Sequence, residues 1–274
     1  MGRLLSLFRT QAVQPKERPQ HTDLAFLLLS DTRLPSADAV IGTFSRFEPG
    51  GKIVQLAPDN DSPARHEILS FSFASGESAF VALMPVPVPG GEAEQGAKYS
   101  VGSLGTGWTL PPHSAHLVVT AQAPSSMSLV ARVSRFTSLL AAVAETSGAV
   151  GVYWGNARAT HSADFFTSVA ADQGITARIM LWTGLSVAHE SDGRSSLLSL
   201  GMQQLDLPDL LLVSSSPSNE ALETFFDLLA YVASRGEPIP EGETVGRTAD
   251  EKAPVHYVRS PVDAGKKVWR VDLS

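Results

Sequence analysis

Apolar and polar positions alternate along the chain in blocks that read in turn as strands and helices. Residues 24–30 (LAFLLLS) form a continuous apolar run of strand length, and residues 36–47 (SADAVIGTFSRF) place Val40, Phe44 and Phe47 at helical spacing. Two strands follow at residues 67–73 and 78–84, joined as a hairpin by Ala74, Ser75, Gly76 and Glu77. From Pro85 to Ser114, prolines and glycines interrupt every longer element and leave a helical turn near residues 92–98. Residues 115–122 return as a strand. Residues 127–146 form the clearest helix, with Leu129, Val133, Phe136, Leu140 and Val143 on one stripe, Ser125 or Ser126 as cap and Gly148 as stop.

The stretch AVGVYWGNARATHSADFF reads as a buried strand running into a helix. Val150, Val152 and Trp154 fall on one face, Gly151 and Tyr153 on the other, and Gly155 and Asn156 make the turn. Ser162 stands at the helix N-cap, with Asp164 in the first turn and Phe165, Phe166 and Val169 on the apolar stripe. Residues 175–183 and 195–202 read as paired strands around a turn at Asp192 and Gly193, and residues 210–214 as a short strand. Residues 219–234 make a second helix that ends at Gly236, and residues 244–246, 255–259 and 267–272 are strand-like.

The stretches LSDTRLPSADAV and WGNARATHSADFF both end a strand, loop out and restart on Ser-Ala-Asp, and each helix then leads to a hairpin. That order, β-α-β-β-α-β, predicts an α+β protein of two ferredoxin-like modules related by a pseudo-repeat, with mixed, largely antiparallel sheets and helices packed on them. The expected division is a flexible tail at residues 1–22, a first module at 23–123 and a second at 124–274, the two sharing one core.

Composition narrows the partners. The 274 residues are 43% hydrophobic, enough for a real core, and the net charge is −7, so the average surface repels a nucleic-acid backbone. No cysteine is present, which excludes disulfides, thiolate nucleophiles and cysteine-ligated metals and suits a reducing cytoplasm. The apolar runs are strand-length, too short to span a bilayer, and Leu4 to Phe8 is too short for a secretory core. A cytoplasmic protein is the expectation.

Several loose motifs carry a resemblance: GVYWGNARATHSADFF, SLLSLGMQQL, LPDLLLV, EPIPEGETVGR and VHYVRSP in the second half, and LAFLLLS, VALMPVPVP and PPHSAHLVVTA in the first. With these, residues 23–273 resemble the bacterial family called domain of unknown function 4261. The resemblance implies a bacterial α+β protein and transfers no catalytic residues.

Seven histidines are present: His21, His66, His113, His116, His161, His189 and His256. His113 and His116, three apart on entering a strand, point to opposite faces and are poor candidates for one metal. Asn156, Thr160, His161 and Ser162 surround a helix start where an anion could sit, an arrangement that an ordinary capped helix also explains. No G-x-S-x-G elbow and no phosphate-binding loop occur. Acidic residues gather in loops at Asp59 and Asp61, at Glu92 and Glu94, and at Glu237, Glu241, Glu243, Asp250 and Glu251. None has calcium-loop spacing. Trp108 lies in the Gly/Pro-rich loop, where an aromatic side chain is often a contact residue.

These features predict a protein without catalysis, metal or cofactor that binds a basic protein partner through Trp108, Glu92 and Glu94, as an immunity or adaptor protein for a secreted toxin would. The alternatives are an enzyme using His113, His116 and His161 between the modules, and an anion or nucleotide sensor at Ser162. Oligomeric state is open at this level.

Overall fold

The computed structural model describes residues 22–56, 68–215, 219–246 and 251–273. Strand β1 (Thr22–Leu29) is apolar on both faces, which suits the interior of a sheet. Helix α1 (Ala37–Phe47) starts where Ser36 Oγ accepts from the Ala39 N–H at 3.2 Å, and it buries Val40, Phe44 and Phe47. Strands β2 (Ile53–Gln55), β3 (Ile68–Phe73) and β4 (Ser78–Met84) follow, then a short helix α2 (Glu92–Gly96) and strand β5 (Ala115–Gln122). Helix α3 (Leu129–Ser147) is capped by Ser128, not by Ser125 or Ser126, because residues 124–127 close a turn first.

After Gly148 the chain forms β6 (Gly151–Trp154), β7 (Ala159–Ser162), α4 (Ala163–Ala170) and α5 (Ile175–Trp182). Then come β8 (Gly184–His189), β9 (Ser195–Leu200), β10 (Leu210–Ser214), α6 (Asn219–Arg235), β11 (Thr244–Val245), β12 (Ala253–Arg259) and β13 (Lys267–Asp272). Seven strands make one sheet in the order β2-β3-β4-β5-β1-β6-β7, and six make another in the order β11-β12-β13-β10-β9-β8. Every pair is antiparallel except β10 with β13.

The fold is therefore α+β with mixed, largely antiparallel sheets, but ferredoxin-like modules do not form. Such a module sets its third strand beside its first, whereas here β5 lies between β1 and β4. The physical reason is hydrophobic: β1 and β5 are the two longest strands of the sheet, each buries five of its eight residues, and they take the centre together. The supposed repeat fails again in the second half. Residues 175–182 are helical, and the strand paired with β9 is β8. Residues 159–162, read as loop, fold back on β6, with Val152 opposite His161 and Gly151 opposite Ser162. Because β6 and β7 join the sheet beside β1, that sheet is not divided at residue 123. Ser36 and Ser162 do play the same local part, each accepting from the N–H three residues on. The expected tail falls almost wholly outside the described residues, as do His21, His66, Asp59, Asp61 and Asp250.

Helices α1, α3 and α4 cover one face of the seven-stranded sheet, and one cluster of buried apolar side chains runs from that sheet through the helices to the other. Two glycines let the sheets meet. Gly201 has φ 117°, and a Cβ there would lie 2.9 Å from Ala157 Cα; one on Gly184 would collide with the Ala157 carbonyl. Around this junction Trp154 Nε1 donates to Gln204 Oε1 at 3.0 Å, Gln204 Nε2 donates to the Trp182 carbonyl at 2.7 Å, and Arg132 donates to the Gln204 carbonyl at 2.6 Å.

Arg178, on α5, is wholly buried and ties the helices together. Its guanidinium donates to the carbonyls of Asp172, Ser134, Phe47 and Ala170 at 2.8, 2.8, 2.9 and 2.8 Å. Burial lowers its pKa from the usual arginine value, with nearby Glu48 and Asp172 opposing. Arg178→Met removes four hydrogen bonds to those carbonyls, of which the Phe47 carbonyl keeps Ser138 Oγ and Gln173 Nε2, and is expected to cost about 3–5 kcal/mol of unfolding free energy. Arg178→Lys should recover only part of that loss, because an ammonium has fewer donors, and urea unfolding of both variants measures it.

Candidate functional site

Between β4 and β5 the chain leaves the seven-stranded sheet and crosses its outer face, the one turned away from the helices. Val88 and Ala93 pack there on Leu28 and Tyr153. Side chains of the sheet pin the excursion down. His116 Nδ1 bonds the Val86 carbonyl at 2.7 Å and its ring meets Phe26 edge-on. His113 Nε2 accepts from the Val88 N–H at 3.4 Å, while its Nδ1 lies 3.7 Å from Glu94 Oε1. Thr160 Oγ1 donates to the Ala93 carbonyl at 2.6 Å, and Gly96 lies so close above Thr160 that a Cβ would stand 2.6 Å from its Oγ1.

Two open clefts flank α2. One, of about 560 Å³, is lined by Glu94, Lys98, Leu104, Trp108 and Leu110. The other, of about 440 Å³, is lined by Glu92, Gln95, Tyr99, Tyr153 and Arg158. Trp108 is half-buried, and Glu92 and Glu94 are exposed. Tyr153 donates to Glu92 Oε2 at 3.5 Å; burial first, and then Glu92, raise the phenol pKa above its usual value. Arg158 closes the β6–β7 turn at φ 53°, a conformation rare outside glycine and asparagine. The excursion thus brings Trp108 and Glu94 to one cleft and sets Glu92 on the other. Sequence reasoning missed Tyr99, Gln95 and Arg158. Alternation did place Tyr153 on the outer face, but without a partner.

The three histidines named for an enzyme are not brought together. Directly opposed residues in a sheet share a face. His116 lies opposite Leu28 on the outer face, whereas His161 lies opposite Val152, whose row belongs to the helix-covered core. His113 and His116 are occupied with the backbone of the excursion, and His161 bonds Ser100 Oγ at 2.8 Å and the Leu181 carbonyl at 3.3 Å. The anion site fares no better. Thr160 faces outward and His161 inward, as neighbours in a strand must, Ser162 Oγ is taken by the Phe165 N–H, and the Asn156 side chain is exposed on the β6–β7 turn. Among the described residues no group of three His, Asp or Glu side chains could hold a metal ion, and no helix is long and apolar enough to cross a membrane. Of the remaining acidic loop residues, Glu241 accepts from the Tyr257 N–H at 2.7 Å and pairs with His256 at 3.2 Å, which fixes the end of the second sheet.

Residues 198–272 match the family model described as Domain of unknown function (DUF4261). The matched segment runs from within β9 to the end of β13 and so takes in α6 and most of the second sheet. Both clefts around α2 lie outside it. No curated protein and no solved structure matches the chain.

Burial lowers the pKa of His161 from 6.5 to about 4, so the folded protein holds the ring neutral where the unfolded chain would protonate it. Stability is then full above pH 6.5 and falls as the pH drops from there toward 4. Between pH 7.5 and pH 5 the loss from this group is about 2 kcal/mol. His161→Gln should flatten that part of the profile, which urea midpoints measured across the range will show.

Proposed function

We propose that this protein is a non-catalytic binding protein that engages a basic protein partner at the excursion over the seven-stranded sheet. The observation that carries the reading is the position of Glu94 and Trp108 on one cleft, with Glu92 on the adjoining one. A half-buried indole beside exposed carboxylates suits an anchor with an electrostatic rim: the ring supplies desolvated contact area, and the carboxylates steer a cationic surface toward it. The net charge of −7 acts in the same direction at longer range. The histidines that an enzyme would recruit are already committed to backbone groups of the excursion or to the core. An immunity or adaptor protein that neutralises or carries a secreted toxin inside a bacterial cytoplasm fits this chemistry, since its work is recognition alone.

Affinity purification with the full chain as bait tests this. The expected result is a basic protein retained at low salt and released as salt rises. Trp108→Ala should weaken its binding by about 30-fold or more, and the double variant Glu92→Lys, Glu94→Lys should weaken it and reverse the salt dependence. A partner held equally well by all three chains, or no partner, overturns the proposal.

A further inference from the structure

Helix α6 and strand β11 leave a groove between them, of about 460 Å³, lined by Asp227, Leu228 and Tyr231 of the helix and by Thr244 and Val245 of the strand. These residues fall within 198–272, in the second sheet and its helix, so the groove is separate from the clefts beside α2. Three of its features act together. The first is backbone. Strand β11 ends its sheet, so among the described residues no strand pairs with its outer edge. The Val255 N–H donates to the Glu243 carbonyl at 2.8 Å and Val245 stands opposite Ala253, so residues 243 and 245 turn their polar groups toward β12. Thr244, between them, turns its N–H and carbonyl the other way. Such an edge is a template for another strand unless Lys or Pro blocks it, and β11 has neither. The second feature is apolar surface: Leu228 and Val245 are only partly buried at the margin of the core, and Tyr231 is 53% exposed. The third is charge. Asp227 is exposed and has no ion-pair partner among the described residues, and Glu223, one helical turn before it on the same face, adds to its sign.

We propose that this groove takes an extended segment of a partner protein, added as a strand along the free edge of β11, with a Lys or Arg against Asp227 and an apolar side chain two positions away on the surface of Leu228, Tyr231 and Val245. Main-chain bonds to Thr244 hold such a segment in place, and the helix wall sorts its alternate side chains. Dimensions agree with this. One helical turn, about 6 Å, separates Asp227 from Tyr231, and side chains two positions apart on a strand share a face at a spacing of about 7 Å, so consecutive same-face side chains of the segment meet the carboxylate and the aromatic ring in turn. Charge selects among segments: an acidic one would face Asp227 and Glu223 and the net charge of −7 behind them, whereas a basic one is drawn in by all three. The contact is built from residues that the excursion does not touch, so it stands or falls independently of the partner surface at Trp108.

Selection of random displayed peptides against the full chain, followed by fluorescence polarisation with the best sequence as a synthetic peptide, tests it. The selected sequences should carry Lys or Arg two positions from Val, Ile or Leu, and the peptide should slow amide hydrogen exchange at Thr244. Asp227→Lys and, separately, Tyr231→Ala should weaken binding by about tenfold or more. Both side chains are exposed, so circular dichroism should remain that of the wild type. Methylating the peptide nitrogen that bonds Thr244 should weaken binding as much, a loss that contact through side chains alone would not produce. Val262→Glu, at an exposed apolar position beyond the other end of β12, should leave binding unchanged. Selection that enriches no peptide overturns the proposal, as does a peptide that binds Asp227→Lys as well as the wild type or whose methylated form binds undiminished. A synthetic peptide of residues 1–21 that binds more tightly than any selected sequence also overturns it, by making this chain's own N-terminus the occupant. A dimer in light scattering that the selected peptide splits overturns it in favour of a second copy.

Discussion

The Arg178 guanidinium lies out of reach of water among carbonyl oxygens from the ends of α1 and α4, the turn after α4, and the middle of α3. Helix C-termini carry partial negative charge and unpaired carbonyls, and a buried cation with donors in a planar fork answers both needs at once. The Phe47 carbonyl also accepts from Ser138 Oγ and Gln173 Nε2, so the end of α1 is the point at which several segments are fastened. Without Arg178 the carbonyls of Ala170 and Asp172 would lose its donors, and the ends of α1 and α4 would lose their tie to α3. The packing of these helices on the inner face of the seven-stranded sheet depends on that tie.

That packing divides the labour between the two faces of the sheet. The helix-covered face is close-packed aliphatic and aromatic side chains, with His161 held neutral at its edge, and it supplies rigidity. The other face carries a loop fixed by polar contacts at His113, His116 and Thr160, and beside it a surface whose strands carry no charged side chain. Loops placed on rigid sheets are where recognition is usually built, because the scaffold bears the entropic cost of holding contact residues in place. The segment that matches the DUF4261 family lies in the second sheet and α6, away from these clefts.

Local signals in the chain foretold most of the local structure. Strands β4, β5 and β13 and helices α1, α3 and α6 follow directly from apolar spacing and caps, and Ser36, Ser162, Gly148 and Gly236 mark helix ends where the residue types demand it. Residues 175–182 misled because ITARIMLW is a short apolar run, and periodicity does not separate a buried strand from a buried helix of that length. The arginine within it was the clue: in a helix its side chain reaches the nearby carbonyls of Ala170 and Asp172 and the distant ones of Ser134 and Phe47. Trp108, Glu92 and Glu94 were visible as residue types, whereas the grouping of Glu94 with Trp108, and of Glu92 with Tyr153 and Arg158, was not.

By itself the sequence determined the α+β class, the starts of α1, α4 and α6, the stops of α3 and α6, and the apolar character of β1 and β5, since these rest on neighbours within a few positions. Tertiary structure decided the order of strands, the return of β7 onto β6, the separation of His116 from His161 and the open half of the outer face. Strand order is a competition among all apolar strands for the most buried places, and its outcome depends on contacts between residues distant in the chain. A local pattern such as Ser-Ala-Asp can start the same helix twice, but it holds no information about which strand will lie beside which.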